Sequence, residues 1–383
     1  MTECQAHIRL MQSEKPLSRS SKIQSIQILR GVAAIVVAIY HVKELTNPEE
    51  PFKAVLSFLF NNGPAGVSLF FVISGFIMVY ITDNRKYSLR DIGLFFFHRF
   101  IRVWPAYAVI TLAFAFIVFR FHIGWESTNI IKSLLFIPLT NDDPPYFGYS
   151  TLPVGWSLNY EIYFYFLVGL SLFFKKYKWT VFFLLILVTL VIIPVSTGHF
   201  TLDPNKTYNY GNGYLNMMTN PVIWNFVYGI LIGLSFTHDT TYSKLTKVFS
   251  SKYIVSTIVI LSVWQYLSGF FGGLGPLKWG LSMASLFIAF IYYTDARNSQ
   301  FPKWLEAIGD MSFSIYLLHL PVRVFLEEVF RKLGYPLYSQ GTAMFLLTMA
   351  MTILLSALSY RYLELRLSRF LRDLIQPSKR KVL

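Results

Sequence analysis

Long runs of apolar residues, broken by short clusters of basic and turn-forming ones, recur along the whole chain. Stretches able to cross a hydrocarbon layer ~30 Å thick lie at approximately 24–42, 67–82, 101–119, 158–174, 179–195, 222–236, 253–268, 279–293, 311–329 and 342–362. The pattern predicts an all-α, polytopic integral membrane protein with about ten transmembrane helices and no soluble domain. Two further apolar pieces, Ile130–Leu139 and Phe52–Phe60, are too short to span and read as interfacial or re-entrant segments.

Composition agrees with the pattern. With 54% hydrophobic, 18% aromatic and 14% charged residues over 383 positions, a water-soluble globule would lack the polar surface to cover itself. The longest gap between spans, 120–157, is too short for an independent domain. The expected organisation is a basic cytoplasmic tail over 1–23, a membrane domain over 24–366 and a second basic tail over 367–383. Ten spans place both termini on one side. Arg85, Lys86 and Arg90, then Lys175, Lys176 and Lys178, then Lys244, Lys247 and Lys252, and finally Lys379, Arg380 and Lys381 fall on that same side. The excess of Lys and Arg in cytoplasmic loops makes that side the cytoplasm. The net charge of +14 is therefore a topology signal, and no nucleic-acid partner is expected. The first apolar run ends in Tyr40, His41, Val42 and Lys43 without a small-x-small site, so cleavage as a signal peptide is not expected. Cys4 is the single cysteine, which leaves no intrachain disulfide and no thiolate metal site, and no metal is expected.

Within the first span, Arg30 and His41 stand eleven residues apart in LRGVAAIVVAIYH. At ~100° per residue they return to within about 20° of one another, roughly 16 Å apart along the axis, on one helix face. An ionisable group inside a membrane costs roughly 3 kcal/mol unless it faces a cavity or partner, so both are functional candidates. The third span opens HRFIRVWP, placing Arg99 and Arg102 one turn apart at an expected helix N-terminus, where backbone amides would assist in holding a phosphate. In WSLNYEIYFYF, Glu161 enters an apolar, aromatic helix at a depth expected to match His41. In SFSIYLLHLP, His319 is expected at the same depth. Three ionisable groups converging at one level read as a site.

These segments, in this order, together with GVSLFFVISGFIM, resemble the acyltransferase 3 family of bacterial membrane O-acyltransferases, most of all its exopolysaccharide-modifying branch. The resemblance covers residues 24–325. The family's Arg-x10-His motif falls on Arg30 and His41, its Arg-x-x-Arg motif on Arg99 and Arg102, its Trp-Ser-Leu-x-x-Glu element on Trp156, Ser157 and Glu161, and its Tyr-x-x-His on Tyr316 and His319. Where similar members often read Glu-x-Pro near the end, this chain has Glu364, Leu365 and Arg366, so the last helix is expected to run on. Members with an extracytoplasmic esterase-like domain are longer, and a second activity is expected to be absent or supplied in trans.

The resemblance implies transfer of an acyl group, by default acetyl with succinyl the rival, from acyl-CoA to a carbohydrate hydroxyl. A hydroxyl attacks only as its proton is removed, which makes a histidine of near-neutral pKa the expected base. That role falls to His41, with Glu161 as the carboxylate that orients it and His319 as the third catalytic group. Arg30, Arg99 and Arg102 would receive the phosphates of the donor. Histidine can act as base or as nucleophile, so direct transfer and an acylated histidine both stay open. A transporter or flippase for a lipid-linked sugar would also place charges inside the bilayer, but no symmetry between halves and no paired broken spans accompany them. A scaffold would leave three buried ionisable groups without a purpose.

Overall fold

The computed structural model describes residues 19–82, 88–119, 123–206 and 210–375. Cys4, Arg85, Lys86, Lys379, Arg380 and Lys381 lie outside the described residues. Every regular element among those described is helical. In chain order they include α1 (Arg19–Val42), α2 (Pro51–Phe60), α3 (Ala65–Thr82), α4 (Leu89–Phe119), α5 (Ile123–Leu134), α6 (Trp156–Leu172) and α7 (Lys178–Leu187). There follow α8 (Trp224–Thr237), α9 (Asp239–Phe249), α10 (Lys252–Ser268), α11 (Leu281–Ala296), α12 (Lys303–Asp310), α13 (Ser312–Lys332) and α14 (Thr342–Ser359). The last continues through a π-helical stretch, Tyr360–Leu367, into α15 (Ser368–Ile375).

Each of the ten expected stretches is largely helical, as it must be where the backbone has no water to bond. Six helical segments among the described residues are long and apolar enough to cross a membrane: Gln24–Leu45, Pro51–Thr82, Leu89–Phe119, Lys175–Ser196, Gly213–Thr237 and Thr342–Leu374. A seventh results if Asp239–Phe249 and Lys252–Ser268, bent by 81°, cross as one unit. By length and composition the described residues thus support six or seven spans, and the expected count of about ten is not established. Helices α6 and α11 have only 17 and 16 residues, and α13 carries Arg323, Glu327 and Glu328 within its 21. The segment around Phe52–Phe60 forms α2, which turns directly into α3, and Ile130 opens the last turn of α5.

One expectation is corrected. Arg99 and Arg102 do not lie at a helix start, because α4 begins ten residues earlier, where the Ser88 backbone N–H donates to Asp91 Oδ2 (2.9 Å) and the Asp91 N–H donates to Ser88 Oγ (3.2 Å). At Arg99 and Arg102 the amides are already inside the helix, so the guanidiniums alone supply the positive charge there.

Helix α3 forms the centre, buried on nearly every side. It meets α8 where Gly75 faces Gly229; a Cβ on Gly75 would sit 2.1 Å from the carbonyl oxygen of Phe226. Beside that crossing, Phe71, Phe226 and Phe164 stack with centroids 4.3 and 4.4 Å apart, locking α3, α8 and α6 together. Helix α1 packs on α3, α12 and α13, and against α12 it comes close enough that a Cβ on Gly309 would lie 2.1 Å from the Gln27 carbonyl oxygen. The face of α1 bearing Arg30 and His41 is thereby turned toward α13 and the interior.

Candidate active site

Four helices bring the predicted residues into one region. Arg30 from α1, Arg99 and Arg102 from α4, and Glu161 from α6 line a cavity of about 370 Å³, with Ser74 of α3 and Tyr316 of α13 among its walls. Arg30 donates to Gln27 Oε1 at 2.8 Å, and Gln27 in turn donates to Asp310 at 2.8 Å, so the guanidinium is braced from the α12 side. Burial pushes the Asp310 carboxyl above its ordinary value, with Arg30 and Arg102 drawing it back. Arg102 pairs with Glu364 at 3.3 Å, and Glu364 accepts from Ser314 Oγ at 2.6 Å. Arg99 stands over the ring of Tyr165, 5.8 Å from its centroid, and its buried Nε has no hydrogen-bond partner among the described residues. Three guanidiniums against one carboxylate in the lining leave the cavity suited to a polyanionic group.

His41 and His319 come together as expected from the sequence: His319 Nε2 lies 3.1 Å from His41 Nδ1. The backbone decides the protons. His319 Nδ1 lies 3.1 Å from the Ile315 carbonyl, which can only accept, so in the neutral ring the proton sits on Nδ1 and Nε2 keeps its lone pair. His41 Nδ1 faces that lone pair and also the Val37 carbonyl at 3.0 Å, so it too carries its proton on Nδ1. His41 Nε2 is left bare, in the state required of a base. Arg323, one turn beyond His319, donates to the His41 carbonyl at 2.6 Å and fixes the end of α1.

The expected pairing of His41 with Glu161 is corrected by these contacts. Glu161 accepts from Ser74 Oγ at 3.2 Å and from the hydroxyl of Tyr165, and it belongs to the wall of the arginine cavity. The expected equal depth does not hold either, since Glu161 shares its cavity with Arg30, which stands roughly 16 Å along α1 from His41. The group within hydrogen-bond reach of His41 is His319.

Tyr316 joins the two parts. It lines the cavity, and its ring centroid is 6.1 Å from that of His319. Its hydroxyl donates to the Val154 carbonyl (3.0 Å) and accepts from Ser157 (2.8 Å), so the Trp-Ser-Leu and Tyr-x-x-His segments are bonded to one another. Glu364, Ser74, Tyr165 and Arg323 were not anticipated as site residues. Glu364 had a readable signal, a carboxylate just past the last apolar run; it is 5% exposed and serves Arg102. With no proline after it the helix does run on, and Ser368 bonds back to the Ile101 carbonyl at 3.0 Å. Among the described residues no three His, Cys, Asp or Glu converge as a metal-binding group.

Comparison with known proteins places this arrangement. The chain is 31% identical over 181 residues to the exopolysaccharide production protein ExoZ of Rhizobium meliloti (strain 1021), a match covering 45% of this chain and 51% of that protein. It is 24% identical over 375 residues to the O-acetyltransferase OatA of Staphylococcus aureus (strain NCTC 8325 / PS 47), covering 88% of this chain and 55% of that one. The chain thus spans about half the length of the curated relatives it matches. No solved structure gives a significant match. Residues 23–361, which hold both histidines, all three arginines and Glu161, match the acyltransferase domain family. The chain therefore belongs to the acyltransferase 3 family and is a multi-pass membrane protein of that family.

Proposed function

We propose that this protein transfers an acyl group, acetyl by default, from acyl-CoA to a hydroxyl of a cell-surface or exported carbohydrate such as exopolysaccharide or O-antigen. The observation that carries the proposal is a cavity lined by Arg30, Arg99 and Arg102 next to a hydrogen-bonded histidine pair whose outer nitrogen is free to take a proton. The phosphates of the donor are assigned to the three guanidiniums, and the buried, unpartnered Nε of Arg99 is consistent with an anion there. The donor supplies an activated thioester carbonyl; the protein's own part is proton handling. His41 Nε2 accepts the proton of the attacking hydroxyl while His319 holds the opposite nitrogen, and the imidazolium returns that proton to the departing thiolate. One ester bond forms, one thioester bond breaks, and no net proton stays on the enzyme.

The chain is assigned to the bacterial inner membrane with both termini cytoplasmic, residues 24–366 forming the catalytic domain between basic tails 1–23 and 367–383. The arginine cavity then opens toward the cytoplasmic donor, and the end of α1 at His41 faces the exported acceptor. Purified protein incubated with acetyl-CoA and de-O-acylated polysaccharide tests this directly. Thiol release that depends on the polysaccharide, with a matching mass increase on it, is expected; neither thiol release nor acetyl-CoA binding would return the protein to the transport reading.

A further inference from the structure

Beyond His41, the structure carries an aromatic feature that the transfer chemistry leaves unused. The segment joining α5 to α6 holds Tyr146 and Tyr149 stacked face to face, centroids 4.5 Å apart and 9° between planes. Tyr146 also meets Trp156 edge-on at 4.9 Å, at the start of α6. Tyr149 remains 40% exposed, so the stack is not sealed by the rest of the protein. Tyr40 lies near both rings, and its own ring packs edge-to-face on His41 at 4.9 Å.

The segment is built to hold these rings in place. The N–H groups of Leu139 and Thr140 both donate to the Phe147 carbonyl at 3.1 Å, Tyr160 donates to the Pro145 carbonyl at 2.8 Å, and Asn216 donates to the Asn141 carbonyl at 2.8 Å. Phe147 is buried beneath it. Of the seven non-glycine residues with left-handed backbone among those described, four lie here: Phe136, Asp143, Phe147 and Tyr149. Such strained conformations persist only where the surroundings over-determine them, and they cluster at functional positions. Exposed Asp142 and Asp143 add hydrogen-bond acceptors beside the tyrosines.

A sugar ring presents one face of C–H groups and a rim of hydroxyls. The electron-rich face of an aromatic ring suits the first, and tyrosine hydroxyls and carboxylates suit the second. We infer that Tyr146 and Tyr149 form the acceptor subsite, the platform on which a pyranose unit of the carbohydrate lies while its reactive hydroxyl reaches toward His41. The inference rests on the proposed function, because it takes a carbohydrate as the acceptor. It commits to recognition by ring stacking, with Tyr146 and Tyr149 acting on acceptor affinity and not on donor affinity.

The test uses full-length protein in lipid nanodiscs, acetyl-CoA as donor and de-O-acylated polysaccharide from the cells that make the protein as acceptor. Tyr149→Ala and Tyr146→Ala are each expected to raise the KM for polysaccharide roughly tenfold while leaving acetyl-CoA binding unchanged. Tyr149→Trp and Tyr149→Phe are expected to keep a KM within about twofold of the parent, since the ring is retained. An unchanged polysaccharide KM in both alanine variants overturns the inference. So does a loss of acetyl-CoA binding that the Trp and Phe variants share, which would mark the tyrosines as structural supports or interfacial anchors. If the parental protein gives no polysaccharide-dependent thiol release at all, the proposed function fails and the inference falls with it.

Discussion

His319 Nε2 lies 3.1 Å from His41 Nδ1, and the carbonyl of Ile315, 3.1 Å from the other nitrogen of His319, determines which way the proton between them points. An α-helix normally spends its carbonyls on its own amides, and here one carbonyl one turn back also fixes a side-chain tautomer. The consequence reaches α1, where His41 keeps its proton on Nδ1 and offers Nε2 outward. On the proposed function, two neutral imidazoles in series would perform the orienting task that a carboxylate performs in a Ser-His-Asp triad.

His41→Ala should abolish polysaccharide acylation while the protein still inserts and folds. Loss of a positioned base typically costs about 10²–10⁴-fold in rate. Residual transfer above a few per cent of the parental rate, measured by thiol release and by mass spectrometry of the product, would remove His41 from the role of base.

His319 gives a sharper test, because it never needs to touch the acceptor. His319→Phe keeps the ring but removes the lone pair that sets the His41 tautomer, so kcat should fall at least about 100-fold with little change in acetyl-CoA affinity. In a His41→Ala background the same change should cost almost nothing further, as expected for residues acting as one unit. Additive losses would mean that the 3.1 Å contact has no catalytic meaning.

For the donor, Arg99→Ala and Arg102→Ala should each weaken acetyl-CoA binding, by on the order of 1.5–3 kcal/mol if a charge-assisted phosphate contact is lost. The two should differ in stability. Removing Arg102 leaves buried Glu364 without its ion pair, so Arg102→Ala should lower the melting temperature and Arg102→Ala/Glu364→Gln should recover it. Titration calorimetry and thermal melts in the same detergent separate the two effects, and unchanged affinity in both single variants would make the arginines topological anchors.

Glu161→Gln tests the corrected placement of this carboxylate. Bonded to Ser74 and Tyr165 in the arginine cavity, Glu161 should influence donor binding and leave the pH dependence of kcat set by His41. A shift of the pH–rate profile with donor affinity intact would instead restore Glu161 as a partner of His41.

The sequence by itself determined the helices, since apolar runs in a bilayer can satisfy their backbones in no other way, and it determined that Arg30 and His41 share one face of α1, since helical periodicity is fixed by local geometry. It also singled out Arg30, Arg99, Arg102, Glu161 and the two histidines as groups that must face the interior, because a bilayer makes any other placement costly, though buried Glu364 escaped that reading. Partnership was a different matter. Which carboxylate or imidazole meets His41 depends on how α6 and α13 are seated and rotated, and that comes from packing between distant segments, such as the stack of Phe164 on Phe226 and the bond of Ser157 to Tyr316. Only the tertiary structure therefore turned Glu161 toward the arginines, brought Glu364 back to Arg102 and set His319 against His41.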